Sequence, residues 1–256
     1  MKNQYVLVAL IVLLAGISAC NDGQKMDTPV DVNKDLEPVD VLLDTLLSNL
    51  NAPWGIEFIQ ENILITDKNG GLYIFNGDQL SQVTGVPEFR RVGQGGLLDV
   101  RKHPNFKQTG WIYLCGSAGP SNNNVSTALY RGVLNGNNLS SIELLFQAKP
   151  QNSSGAHFGS RIVFDNQGKL YLGLGERFDM QTAQDLSNHN GSVIRLNDDG
   201  TIPTDNPFIN DNDAQNEIWT YGHRNIQGMT IHPTTGEIWT HEHGPKGGDE
   251  INIIVA

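Results

Sequence analysis

One phrase recurs along this chain: an apolar strand, a turn rich in Asn, Gly or Pro, and a second apolar strand. The copies start near Gly55, Asp99, Arg161 and Gly228, so successive starts are 44, 62 and 67 residues apart. A period of about 40 to 50 residues with several strands per unit is typical of β-propellers, and longer separations indicate inserted loops. We therefore predict an all-β fold, a β-propeller with about four blades in this chain. A β-sandwich is the alternative, although sandwiches do not usually repeat one phrase so closely.

The number of repeats raises a question about ring closure. A propeller joins its first and last blades, because an open ring leaves strand edges without hydrogen-bond partners. Four phrases are fewer than the six or more blades of many enzymatic propellers. The chain is therefore expected to be a fragment, a truncated product, or a smaller ring.

The N-terminal segment has the features of an export signal. Lys2 supplies a positive charge, an apolar run follows from Val6 to Ile17, and Cys20 ends a stretch that resembles the lipobox of bacterial lipoproteins. The apolar run is too short for a transmembrane helix, and an ordinary secretory signal is the alternative. We predict a lipoprotein signal peptide at 1–20, a flexible tether at 21–45 and a partial propeller at 46–256. Lipidation of Cys20 would anchor an exported protein to the cell envelope, on the periplasmic or outer-membrane face.

Charge and cysteine content exclude some functions. The formal net charge is −11, and no basic patch is available to meet phosphates, so nucleic-acid binding is not expected. Acidic side chains on an exported protein also suit calcium. Without Cys20 the chain keeps only Cys115, which lies in an apolar run and is predicted to be a buried small hydrophobe.

Four motifs occur in order along the predicted blades. They are Gly93-Gln94-Gly95-Gly96, His157-Phe158-Gly159-Ser160-Arg161, Tyr221-Gly222-His223-Arg224-Asn225 and His243-Gly244-Pro245-Lys246-Gly247-Gly248-Asp249-Glu250. Together they resemble the soluble pyrroloquinoline-quinone (PQQ)-dependent glucose and aldose sugar dehydrogenases, and the resemblance runs from about Asn51 to Ala256. It implies a six-bladed propeller with the quinone over the central axis. Family members continue well beyond the Gly-Pro motif, so the chain is expected to be C-terminally incomplete relative to them.

The resemblance implies roles for four polar residues. His157 matches the catalytic base, and an imidazole suits proton removal at neutral pH. Gln94 matches a side chain that hydrogen-bonds to the cofactor. Arg224 and Asn225 match the pair that binds the reactive oxygens of the quinone, where a guanidinium stabilises developing negative charge.

A calcium site is implied at the last motif. Gly244 and Pro245 match residues whose backbone carbonyls coordinate calcium, and Glu250 and Asp249 match acidic positions nearby. His241 and His243 suggest a transition metal as the alternative, but we expect them to line the cavity. The segment 205–217 resembles a calcium loop only loosely and is predicted to be a solvated loop. His223 is predicted to be a structural partner in the turn that holds Arg224.

The implied function is oxidation of the C1 hydroxyl of aldose sugars to lactones, dependent on PQQ and calcium. Electrons would leave to an unidentified soluble or membrane acceptor. No Gly-x-Gly-x-x-Gly sequence opens a helix in this chain, which fits a cofactor other than a nicotinamide. The alternative is a propeller that binds without catalysis, or an inactive truncated relic.

Overall fold

The structure, a computed structural model, describes residues 42–256. The predicted signal peptide at 1–20, Cys20 and nearly all of the predicted tether at 21–45 lie outside these residues, so those expectations stay predictions. No helix within 42–256 has the length and apolar character needed to cross a membrane.

Antiparallel strands account for most of the regular structure. The strands are β1 (Pro53–Ile59), β2 (Asn62–Asp67), β3 (Gly71–Phe75), β4 (Leu80–Gln82), β5 (Leu97–Lys102), β6 (Trp111–Ser121), β7 (Asn124–Asn135), β8 (Asn138–Gln147), β9 (Arg161–Phe164), β10 (Leu170–Gly173), β11 (Ser192–Leu196), β12 (Ile218–Tyr221), β13 (Ile226–Ile231), β14 (Ile238–Glu242) and β15 (Glu250–Ile254). Helix α1 (Phe106–Thr109) and the 3-10 turns Met180–Gln184 and Pro245–Gly247 lie in loops between them.

The strands form successive sheets arranged as the blades of a β-propeller. Strands β1–β4, β5–β8 and β9–β12 each make a four-stranded sheet, and β13–β15 make a three-stranded one. The first strands of neighbouring sheets contact each other, β1 with β5, β5 with β9 and β9 with β13. Each predicted phrase supplies the first strand of one sheet. The prediction of an all-β propeller with about four blades in this chain is therefore confirmed.

Apolar side chains pack between neighbouring blades and hold them face to face. Leu72 and Leu97 belong to the cluster between the first two blades, and both are fully buried. Full burial of one such side chain contributes about 1.5–3 kcal/mol. Cys115 is fully buried in the next cluster, as predicted, and burial raises the pKa of its thiol.

A buried ion pair joins the second, third and fourth blades. The carboxylate of Asp99 accepts hydrogen bonds from Arg161 Nη1 at 3.0 Å and from the backbone N–H of Ile162 at 2.9 Å. Arg161 Nε donates in turn to the carbonyl of Gln227 at 2.9 Å. Asp99 is fully buried, so its charge depends on these partners rather than on water.

The order of strands decides which loops share a face. Because each sheet is antiparallel and the first strands all run the same way, two kinds of connection emerge at one end of the blades. These are the loops from second to third strand and the loops from one blade to the next. We call this end the upper face. The turns between first and second strands lie at the opposite, lower face.

We expect Asp99→Ala to lower the free energy of unfolding by about 3–5 kcal/mol, because Arg161 loses the partner of its partly buried charge. Urea unfolding of the variant and the unsubstituted chain measures the difference. Asp78→Ala, which removes an exposed carboxylate in the β3–β4 turn, is the matched control and should change little. Equal losses in the two variants would contradict the role of the ion pair.

Candidate active site

Every site residue predicted within 42–256 lies at the upper face. The reason is topological, since each predicted motif spans either a connection between blades or a loop from second to third strand. Gln94 precedes β5, His157 precedes β9, Arg224 and Asn225 precede β13, and Gly244, Pro245, Asp249 and Glu250 lie between β14 and the start of β15.

His157 is held in a left-handed backbone conformation beside Gln94. Its φ is 51°, a left-handed conformation that is uncommon for residues other than glycine. The backbone N–H of His157 donates to Gln94 Oε1 at 2.9 Å, and the N–H of Gln94 donates to the carbonyl of Gly155 at 2.7 Å. With its oxygen engaged in this way, Gln94 has the two N–H donors of its carboxamide to offer a ligand.

A carboxylate that the sequence analysis missed orients the imidazole of His157. Nδ1 of His157 is hydrogen-bonded to Glu176 Oε2, and both residues are buried. A carboxylate at Nδ1 favours the tautomer in which Nδ1 carries the proton, so Nε2 is the nitrogen able to accept one. The signal for Glu176 was weak: a single acidic residue just after a buried strand that ends at Gly173.

An exposed aromatic ring covers His157. The ring of Phe178 stacks on the imidazole, with centroids 4.4 Å apart and planes inclined by 23°. Its backbone N–H donates to Glu176 Oε2 at 3.2 Å, so the same carboxylate oxygen holds both rings in place. Phe178 has a φ of 65° and is 69% exposed, which is unusual for a phenylalanine. Phe178 lies outside all four sequence motifs.

A second buried carboxylate, also missed, shapes the loop that carries Arg224 and Asn225. Glu242 Oε2 accepts the backbone N–H of Arg224 at 2.5 Å and that of Asn225 at 3.1 Å. Its Oε1 accepts from His223 Nδ1 at 2.9 Å and from Asn252 Nδ2 at 3.0 Å. The backbone of the predicted quinone-binding pair is therefore fixed by one side chain of the neighbouring strand β14.

Hydrogen bonding governs the ionisation of Glu242. Burial by itself raises the pKa of this carboxyl, but the hydrogen bond and charge of His223, together with the backbone N–H groups of Arg224 and Asn225, hold the pKa below its usual value. Nε2 of His223 bonds Thr220 Oγ1 at 2.8 Å. His223 is therefore a structural partner in the turn that holds Arg224, as predicted.

The Gly-Pro turn is closed by one of the predicted calcium residues. Asp249 Oδ1 accepts the backbone N–H of Gly244 at 3.0 Å, while the Pro245 carbonyl accepts from Gly248 at 3.1 Å. A side chain at Gly244 would overlap the carbonyl of Gly248, so this approach requires glycine. Arg224 Nη1 donates to the carbonyl of His243 at 2.8 Å, which joins the turn to the Arg224 loop.

The side chains of the loop at 205–217 do not form a cluster that could hold a metal ion. Asp205 makes a two-pronged contact with Arg195, at 2.9 and 3.1 Å. Asp211 and Asp213 are exposed. Across residues 42–256, no three His, Cys, Asp or Glu side chains cluster in a way that could hold a metal ion. A cation at the upper face would therefore depend on backbone carbonyl oxygens as well as on carboxylates.

Two clefts of opposite character flank the Arg224–Asn225 loop. The first, which we call the glutamate cleft, is lined by three acidic residues. Its lining includes Glu176, Glu242, Glu250, His223, Arg224, Gln184, Gly244 and Pro245. The second, the amide cleft, is lined by Lys68, Gln94, Asn225, Gln227 and His243, with Trp54 and Phe158. Carbonyl and carboxylate oxygens in the first cleft suit a hard cation. Amide and ammonium donors in the second suit a planar anion, so the residues present fit both predicted groups.

Comparison with known proteins links this chain to a family of sugar dehydrogenases. A family model described as glucose/sorbosone dehydrogenase matches residues 50–256. The aldose sugar dehydrogenase YliI of Escherichia coli is 42% identical over 222 residues, covering 84% of this chain and 60% of that protein. Quinoprotein glucose dehydrogenase B of Acinetobacter calcoaceticus is 28% identical over 283 residues, covering 97% of this chain and 58% of that protein.

Solved structures give the same picture. The apo form of the soluble aldose sugar dehydrogenase of Escherichia coli superposes with a TM-score of 0.81 at 41% identity, covering 83% of this chain and 63% of that one. The PQQ-bound aldose sugar dehydrogenase of Streptomyces coelicolor gives 0.74 at 25% identity, covering 84% and 63%. The chain thus spans about 60% of the length of these relatives.

Lowering the pH should remove the contribution of Glu242 to the free energy of unfolding. Because its folded-state pKa lies below the unfolded value near 4.3, this contribution is present above about pH 4 and is lost as the pH falls through the folded pKa. Glu242→Gln should therefore be less stable than the unsubstituted chain at pH 7, and the difference should shrink below about pH 4. Urea unfolding at several pH values measures it. Glu237→Gln, at an exposed site, should show little dependence on pH, and a pH-independent deficit in Glu242→Gln would contradict the assignment.

Proposed function

The chain belongs to the glucose/sorbosone dehydrogenase family, and on this premise we propose that it oxidises the C1 hydroxyl of aldose sugars to lactones with PQQ and calcium. One observation carries the proposal. The fold brings His157, with its Nδ1 held by Glu176, onto the same face as Gln94, Arg224 and Asn225. The quinoprotein relative and the PQQ-bound structural neighbour support the choice of cofactor.

In this proposal, His157 removes the proton of the sugar's C1 hydroxyl. Nε2 is the accepting nitrogen, because Nδ1 is engaged with Glu176. The carboxylate stabilises the imidazolium that forms and keeps the ring in one orientation. The quinone, when bound, supplies the two-electron acceptor that takes the hydride from C1. The substrate thus loses a proton to the protein and a hydride to the cofactor, which balances oxidation to the lactone.

Gln94, Arg224 and Asn225 would hold the quinone. The carboxamide of Gln94 offers N–H donors because its oxygen is bound by His157. Arg224 keeps donors beyond the one engaged with the His243 carbonyl, and its guanidinium would stabilise negative charge on a ligand oxygen. Since Glu242 fixes the backbone of this pair, little reorganisation is needed when a ligand arrives.

Calcium would be held at the Gly-Pro turn. Gly244, Pro245 and Glu250 line the glutamate cleft, and the carbonyls of the first two and the carboxylate of the third would coordinate the ion. Asp249 would contribute to the calcium site by closing the turn, since its carboxylate accepts the backbone N–H of Gly244. A calcium ion bound there would polarise a ligand oxygen and offset its negative charge.

Cys20 would determine where the protein works. A lipid on Cys20 would attach the exported chain to the cell envelope, and electrons would pass to a soluble or membrane-bound acceptor. The net charge of −11 is consistent with a protein that does not bind nucleic acid.

The test of this function is turnover of the chain loaded with PQQ and calcium, measured as glucose-dependent reduction of an artificial dye. His157→Ala should lower kcat by about 10²- to 10⁴-fold, the usual contribution of a positioned general base, while the dissociation constant for PQQ stays within about twofold. His232→Ala, in the lower-face turn between β13 and β14, is the control and should retain activity.

Two outcomes would contradict the proposal. Retained turnover in His157→Ala would show that His157 is not the base. Absence of turnover in the loaded, unsubstituted chain would instead favour a propeller that binds without catalysis.

A further inference from the structure

The amide cleft is lined by a charged residue, Lys68, that has no role in the proposed function. Gln94 and Asn225, two of the predicted quinone-binding residues, line this cavity of about 170 Å³ together with Lys68. The cavity reaches from the first blade, which carries Lys68, to the fourth, which Asn225 precedes.

The amide cleft contains a positively charged residue and, within the described part of the chain, no acidic one. No carboxylate among residues 42–256 lines it, although the chain has 28 acidic residues against 17 Lys and Arg. The adjacent glutamate cleft, by contrast, has three carboxylates in its wall. A polar cavity with a cation and amide donors, kept free of acidic side chains, is suited to an anion.

Lys68 is placed for this role by the loop between β2 and β3. Its backbone N–H donates to the carbonyl of Ala52 at 2.9 Å, and its Nζ lies 4.7 Å from the centroid of the Trp54 ring. No carboxylate of the described residues lies within salt-bridge distance of Lys68. The neighbouring Asp67 is buried, and its two oxygens accept the backbone N–H groups of Ala52 and Asn69. The nearest acid in sequence, Asp67, therefore stabilises the loop and does not pair with the ammonium group of Lys68.

PQQ carries three carboxylates, and the residues assigned to it so far supply one full positive charge, that of Arg224. A carboxylate that leaves water needs a counter-charge or several hydrogen bonds. We propose that Lys68 binds a carboxylate of the quinone in the amide cleft, beside Gln94 and Asn225. This inference rests on the proposed function, because it takes the quinone as the ligand.

Direct binding tests the inference without any reliance on turnover. The purified chain with calcium is titrated with PQQ by equilibrium dialysis, and bound quinone is read from its absorbance. Lys68→Gln should weaken binding about tenfold or more, as expected for loss of a charge-assisted hydrogen bond, and Lys68→Arg should recover much of the affinity. Lys107→Gln removes the same charge from the exposed helix α1 at the lower face and should bind as the unsubstituted chain does.

The trimethyl ester of PQQ shows whether a carboxylate is the partner. With the ester, the unsubstituted chain and Lys68→Gln should bind alike, because the ester has no anionic oxygen to pair with the ammonium. An equal loss for acid and ester would mean that the substitution damages the cleft, and would overturn the inference. Thermal unfolding of each variant checks that the fold is retained.

The remaining outcomes separate this inference from the proposed function. If the unsubstituted chain binds PQQ and Lys68→Gln binds it as tightly as Lys107→Gln does, Lys68 has no such role and the proposed function stands. If the unsubstituted chain does not bind PQQ with calcium present, the proposed function is wrong, and the assignment of Lys68 fails with it.

Discussion

The upper face depends on two buried carboxylates that tie separate loops together. Glu242 holds the backbone of Arg224 and Asn225, and Glu176 holds the imidazole of His157 and the backbone of Phe178. The N–H of Glu176 also donates to the Arg224 carbonyl at 2.9 Å, so the two systems are one network. Loops attached only at strand ends move easily. Buried charge-assisted hydrogen bonds restrict that motion where the site needs fixed geometry.

The carboxylates of this face are confined to one of two neighbouring clefts. Glu176, Glu242 and Glu250 line the glutamate cleft together with Arg224, whereas Lys68 and carboxamides line the amide cleft, which has no carboxylate among the described residues. An acidic protein repels an anionic ligand at long range, so local exclusion of carboxylates from the amide cleft is needed to bind one. Gly244 and Pro245 line the glutamate cleft, where its three carboxylates favour a cation. This division supports the pairing of an anionic quinone with a metal ion in the proposed function.

Much of the fold could be predicted, because the strand–turn–strand phrase repeats along the sequence. The starts near Gly55, Asp99, Arg161 and Gly228 each fall in or next to the first strand of a blade, since alternating apolar residues and turn residues act locally. The position of His157 and Arg224 on the upper face could be predicted as well, because both residues stand in motifs. Glu176, Phe178, Glu242 and Lys68 were missed or left without a role. Each is a single residue whose importance comes from a partner far away in sequence.

The sequence by itself therefore determined the class of fold, the blade repeat and the family to which the chain belongs. Those properties follow from local periodicity and from motifs that are complete within a few residues. Only the tertiary structure decided which nitrogen of His157 is available, what holds Arg224 and Asn225 in place, and which cleft is free of carboxylates. These depend on contacts across 17 to 19 residues or between blades, as in the bonds of Glu176 and Glu242. Such contacts exist only once the sheets have packed and the connecting loops share one face.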